Sequence, residues 1–158
     1  MFIKPDYNLK NIYEIDFNEL KEQGIKCIML DLDSTVMQSK SSEFTPKTVE
    51  WFNTFINDFE VAIISNNTKK EYIEKASVTA PCRVIGCAKK PNPKVAKQYL
   101  DEIGVKPSEA VMVGDRPLTD ILVGKFLGCK TILVGSINPN ENIPTKLVRA
   151  LERSTIRS

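Results

Sequence analysis

Short runs of apolar residues alternate along this chain with stretches whose apolar positions recur at helical spacing. Cys27-Ile28-Met29-Leu30, Val61-Ala62-Ile63-Ile64, Val111-Met112-Val113 and Ile132-Leu133-Val134 are continuous rather than alternating. Continuous runs mark strands buried on both faces. They predict strands over 26–32, 60–65, 110–114 and 131–134, with a shorter one over 83–86. Between them, Thr45-Pro46 starts a helix whose Val49, Phe52, Phe55 and Ile56 share a face. A second helix is expected over about 69–76. A third carries Val95, Ala96, Tyr99, Leu100 and Ile103 and stops at Gly104, and a fourth runs over 118–127 up to Gly128. Strands alternating with helices predict an α/β fold: a five-stranded parallel sheet with helices on both faces, in three layers.

The first strand ends in Asp31-Leu32-Asp33-Ser34-Thr35. Strands disfavour Asp and burial disfavours its charge, so two in three positions call for a compensating cation or a chemical role. Alternation would send Asp31 and Asp33 to one side of the strand. A cap for the next turn accounts for such a pair equally well when it stands alone. A second acidic strand end changes the weighing. Val111-Met112-Val113 runs into Gly114-Asp115, and Asp120 follows in Arg116-Pro117-Leu118-Thr119-Asp120. Ser65 closes the second strand, and Lys90 stands in Ala88-Lys89-Lys90-Pro91. All four motifs fall at the carboxyl ends of strands, where parallel α/β sheets bind ligands. Each residue keeps a plainer alternative: Ser65 as a helix cap, Lys89 and Lys90 as solvated loop charges, Asp120 as a helix N-terminal anion and Thr35 as a turn residue.

The ordered set Asp-x-Asp-x-Thr, Ser, Lys, Gly-Asp-x-x-x-x-Asp resembles the haloacid dehalogenase-like hydrolases over about 26–135. Ile64-Ser65-Asn66-Asn67, Ala88-Lys89-Lys90-Pro91 and Gly114-Asp115-Arg116-Pro117-Leu118-Thr119-Asp120 make it more narrowly similar to the YqeG family of small capless phosphatases. That family is in turn similar to the mitochondrial and plastid phosphatidylglycerophosphate phosphatases. The family pattern usually carries Gln at position 116 and Asn at position 34, where this chain has Arg116 and Ser34. The resemblance implies a single Rossmann-like domain over 1–158 with strand order fifth-fourth-first-second-third and no cap. It implies Mg²⁺ held by the Asp31 side chain, the Asp33 carbonyl and the Asp115 side chain, with Asp120 nearby. Asp31 would be the nucleophile and Asp33 the general acid and base. Thr35, Ser65, Asn66 and Lys90 would hold the phosphoryl group. The leading substrate is phosphatidylglycerophosphate. A phosphoprotein or soluble phosphometabolite is the alternative, and an Asp-phosphorylated signalling domain or an inactive scaffold lies outside enzymology. Receiver domains take phosphate on a later strand than the one bearing the acidic pair, which argues against the signalling reading.

A formal net charge of +2 and a 27% charged fraction give no pull toward nucleic acid. Cys27, Cys82, Cys87 and Cys129 form no C-x-x-C pair, and the chain has no His, so a zinc site would need an unusual ligand set. Cys27 and Cys129, beside strands, are expected as buried thiols. No apolar stretch approaches the roughly 18 residues of a membrane span. A reducing, cytoplasmic setting is the expectation, with the protein soluble or, at most, in peripheral contact with a membrane. The segment 1–13 suits either a membrane surface or packing on the domain. Asp16-x-x-Glu19 reads as a capping box for a short helix ended by Gly24. The basic, apolar stretch over 145–156 reads as a terminal helix or a contact to anionic lipid, and Trp51 as core rather than site rim.

Overall fold

The computed structural model describes residues 3–137. The stretch over 145–156 lies outside the described residues. Six parallel strands form one sheet: β1 (Tyr7–Asn8), β2 (Cys27–Leu30), β3 (Glu60–Ile64), β4 (Arg83–Ile85), β5 (Ala110–Gly114) and β6 (Lys130–Leu133). Their spatial order is β1-β6-β5-β2-β3-β4. Five of these are the expected strands in the expected order. The sixth is a correction: β1 pairs with β6, Tyr7 against Ile132 and Asn8 against Leu133. Asp6 fastens that edge, its carboxylate accepting from the Thr131 N–H at 2.8 Å and the Thr131 hydroxyl at 3.1 Å. The N-terminal flank therefore packs on the sheet, and Ile12, Ile15 and Leu20 join the core.

The expected first strand over 26–32 ends at Leu30. Beyond it the Leu32 carbonyl accepts from the N–H groups of Thr35, Val36 and Met37. This turn replaces strand alternation as the device that aims Asp33.

Five α-helices cover the sheet: α1 (Phe17–Glu22), α2 (Pro46–Asn53), α3 (Lys70–Thr79), α4 (Lys94–Ile103) and α5 (Leu122–Leu127). The capping reading at Asp16 is realised on one side: Asp16 accepts from the Glu19 N–H at 3.0 Å, while the Glu19 carboxylate serves Tyr7 and Gln23. Thr45 caps α2 by accepting from the Thr48 N–H, and Pro46 opens its first turn. Gly104 ends α4 in the left-handed conformation at φ +69°. The helix expected over 118–127 is instead a π-turn, Pro117–Ile121, that leads into α5. Such widened turns gather at functional sites, and this one carries Asp120.

Because β2, β3 and β5 are buried on both faces, their side chains feed two cores in alternation. Ile28, Leu30, Ile63, Val111 and Val113 pack on one face with Trp51 and Phe52 of α2 and with Phe55 just beyond its end. Phe17 of α1 stacks on Phe55 with ring centroids 3.9 Å apart, and Trp51 meets the same ring at 4.8 Å, so Trp51 belongs to the core. Cys27, Met29, Ala62, Ile64 and Met112 fill the other face with Ala96, Tyr99 and Leu100 of α4 and Val123 of α5. Cys27 and Cys129 are buried thiols. Between β2 and β3 the only helix is α2, and between β3 and β4 the only helix is α3. No cap domain covers the carboxyl ends of the strands among the described residues.

Candidate active site

β2, β3 and β5 are neighbours in the sheet, so their carboxyl-terminal loops meet over one spot. Asp31 leaves β2 with its N–H still paired to the Val113 carbonyl of β5 at 2.9 Å. Asp115 follows β5 and is fully buried, while Asp120 comes from the π-turn and is buried as well. One carboxylate oxygen from each of Asp31, Asp115 and Asp120 lies within 4.8 Å of the others. Thr35 ties the cluster together. Its hydroxyl stands 3.1 Å from Asp115 Oδ1 and 3.4 Å from Asp31 Oδ2, and its single proton favours the shorter contact.

Lys90 supplies the cation. Its Nζ lies 2.7 Å from Asp31 Oδ1 and 2.7 Å from Asp120 Oδ1, with its side chain only 1% exposed. Burial alone would push this ammonium down, but Asp120 and Asp31 outweigh burial and hold it charged, its pKa above the ordinary value. Neighbouring Lys89 is exposed. Asp120 uses its other oxygen on the Arg116 N–H at 3.1 Å. Burial and the Asp31 charge push the Asp120 carboxyl above the usual range, while Lys90 holds it down.

Asn66, expected from sequence among the phosphate-holding residues, bonds the backbone of Lys90. Its Oδ1 accepts from the Lys90 N–H at 2.6 Å and its Nδ2 donates to the Lys90 carbonyl at 3.0 Å. Both ends of the amide meet the lysine backbone, so Asn66 positions Lys90 and keeps a second Nδ2 proton. Ser65 is buried at the end of β3, and its Oγ accepts from the Asn67 N–H at 3.0 Å; this bond shapes the turn and does not cap α3, whose N-cap position is Lys69.

Asp33 is turned away from the three-carboxylate cluster. Its Oδ1 accepts a 2.5 Å hydrogen bond from the Tyr72 hydroxyl on α3. Burial raises its pKa above the usual carboxylate range, and the Tyr72 hydrogen bond opposes that shift. Tyr72 escaped the sequence reading, since nothing in Lys69-Lys70-Glu71-Tyr72 marks it as more than a helix residue. Ser34, at φ +69°, occupies the left-handed region that Asn tolerates better than most residues. That conformation gives a backbone reason for Asn at this position in the family pattern.

A family model described as mitochondrial PGP phosphatase matches residues 1–137. The chain belongs to this PGP phosphatase family. A Bacillus subtilis (strain 168) relative described as probable phosphatase YqeG is 33% identical over 153 residues, covering 96% of this chain and 88% of its own length. Phosphatidylglycerophosphate phosphatase 1, chloroplastic/mitochondrial, of Arabidopsis thaliana is 26% identical over 167 residues, covering 99% of this chain. The chain spans 48% of the length of that Arabidopsis protein. Among solved structures, a HAD family enzyme from Bacteroides thetaiotaomicron in complex with magnesium and inorganic phosphate aligns with a TM-score of 0.57. That alignment covers 78% of this chain and 99% of the other at 12% identity, a likeness of fold. This member of the PGP phosphatase family is accordingly a phosphoric monoester hydrolase, built on a fold shared with haloacid dehalogenase-like enzymes.

The PGP phosphatase site fits a divalent cation by its own chemistry. Its donors are carboxylate oxygens on three convergent residues, two of them buried, with no His or Cys among them. A single buried lysine against three carboxylates leaves net negative charge that a cation would neutralise.

Proposed function

We propose that this chain is a Mg²⁺-dependent phosphatase acting through an aspartyl-phosphate on Asp31, with phosphatidylglycerophosphate as its substrate. The observation that carries the reading is the convergence of Asp31, Asp115 and Asp120, with the ammonium of Lys90 against Asp31 and Asp120. Asp31, Asp115, Asp120 and the Asp33 carbonyl would hold the ion. When bound, Mg²⁺ supplies charge neutralisation to the carboxylates and the phosphoryl oxygens. Asp31 attacks phosphorus, and the bond from phosphorus to the leaving oxygen breaks. Asp33, whose raised pKa suits a proton donor, delivers its proton to that oxygen and afterwards takes one from the water that hydrolyses the acyl phosphate. Lys90 turns from its carboxylate partners to the phosphoryl charge, with the Ser65 and Thr35 hydroxyls beside it. Positioning and charge neutralisation are most of what phosphoryl transfer requires.

The lipid substrate is supported by the family described as mitochondrial PGP phosphatase and by the Arabidopsis relative's name. No helix among the described residues is long and apolar enough to cross a membrane. A cytoplasmic chain that meets its lipid at the membrane surface is part of the proposal and follows from the substrate. The test is phosphate release from phosphatidylglycerophosphate in mixed micelles with Mg²⁺, with a soluble aryl phosphate alongside. Micelle-dependent turnover that Asp31→Asn abolishes is expected. Turnover of the aryl phosphate alone would remove the lipid, and turnover of neither would remove the reaction.

A further inference from the structure

The Tyr72 side chain that holds Asp33 has a second environment. It forms one wall of a surface cleft of about 510 Å³ whose other lining residues are Ser42, Lys69, Lys70, Glu71 and Lys75. Three lysines thus face one glutamate across a space that opens beside the acid. Lys70 is 3.9 Å from Glu74, whereas Lys69 and Lys75 have no ion pair among the described residues. Like charges gathered without counter-charges raise the local positive potential.

The position of the cleft matters as much as its sign. An acid that protonates a leaving oxygen stands next to that oxygen, so the rest of the leaving alcohol extends past Asp33. Past Asp33 stands Tyr72, and past Tyr72 the lysine cleft. We propose that this cleft is a subsite for a second anion on the leaving alcohol, a phosphodiester, with Lys69 and Lys75 as its charge-bearing contacts. The inference rests on the phosphatase reading above and adds what the site selects.

The test measures binding by calorimetry in the Asp31→Asn chain with Mg²⁺, with and without Lys69→Ala/Lys75→Ala. Both lysines are exposed, so the double variant keeps the fold. The probes are dihexanoyl phosphatidylglycerophosphate, its deacylated headgroup, and phenyl phosphate, which lacks the second anion. The double variant is expected to weaken both diester probes about tenfold and leave phenyl phosphate about unchanged, with the difference closing at high salt. Equal loss for all three probes, no loss for any, or a loss confined to the acylated probe would overturn the subsite. Phosphate release by the unsubstituted chain reports separately on the phosphatase reading. Selectivity without turnover sinks that reading, and turnover without selectivity sinks only the subsite.

Discussion

Gly114→Ala probes how β5 seats Asp120. A Cβ built on Gly114 falls on the Cβ, Cγ and Oδ2 of Asp120, closer than heavy atoms approach one another. Both residues are buried, so the carboxylate has to move and loosen its contacts with Lys90 and the Arg116 N–H. Overpacking costs about 1–3 kcal/mol. Breaking a buried ion pair costs about 3–5 kcal/mol when the surviving charge is orphaned. Asp31 stays 2.7 Å from Lys90, so only part of that second cost applies. Alanine's smaller unfolded-state entropy returns about 0.4–1 kcal/mol. The net loss expected from urea unfolding is about 2–4 kcal/mol. The clash includes the Cβ of Asp120, which makes the origin of the loss separable. An Asp120→Ala background keeps that atom and should retain most of the cost, whereas an Asp120→Gly background should remove it. A Gly114→Ala cost as large in the Asp120→Gly background as in the wild type would refute the steric account.

Saturating Mg²⁺ at about a hundredfold over its Kd should stabilise the chain by about 2.7 kcal/mol, a Tm rise of about 5–10 °C. Chelation should reverse the rise and Asp115→Asn abolish it; an unchanged Tm in calorimetry would contradict a metal site there. In the metal-free chain, the folded state binds the Asp33 proton more tightly than the unfolded state does. Ionisation above the unfolded value near 3.9 therefore opposes folding. Asp33→Asn should accordingly be more stable than the wild type at pH 7 and lose that advantage as the pH falls below about 4; an advantage independent of pH would contradict this. Asn66→Ala removes two hydrogen bonds to the Lys90 backbone and should cost about 1–3 kcal/mol in urea unfolding, with a loss under about 0.5 kcal/mol arguing against its positioning role.

What the sequence disclosed follows from the physics that leaves marks in it. Burial on both faces writes continuous apolar runs, so β2, β3, β5 and β6 could be located, and parallel order followed from the helices between them. β1 is two residues at a sheet edge, with one face open, and leaves no such run. The π-turn over Pro117–Ile121 has the composition of an ordinary helix start; its widening belongs to the contacts of Asp120 with Lys90 and Arg116. Asp31, Thr35, Lys90, Asp115 and Asp120 were found because charged and hydroxyl groups at strand ends are costly enough to stand out. Asn66 was found but its role depended on which backbone it faced. Tyr72 meets Asp33 across 39 positions, and no local pattern announces such a partnership.

The pairing of β1 with β6 also sets an order of events. Tyr7 emerges during synthesis 125 positions ahead of Ile132, its partner. Until then β1 has no strand to join, and the apolar side chains around it wait without their cover. Closing a loop of that length costs chain entropy before its contacts reward it. The edge strand is thus made ahead of its sheet neighbours and is the last of them to gain its place. A nascent chain halted before residue 130 would hold β2, β3, β4 and β5 but no strand for β1 to join.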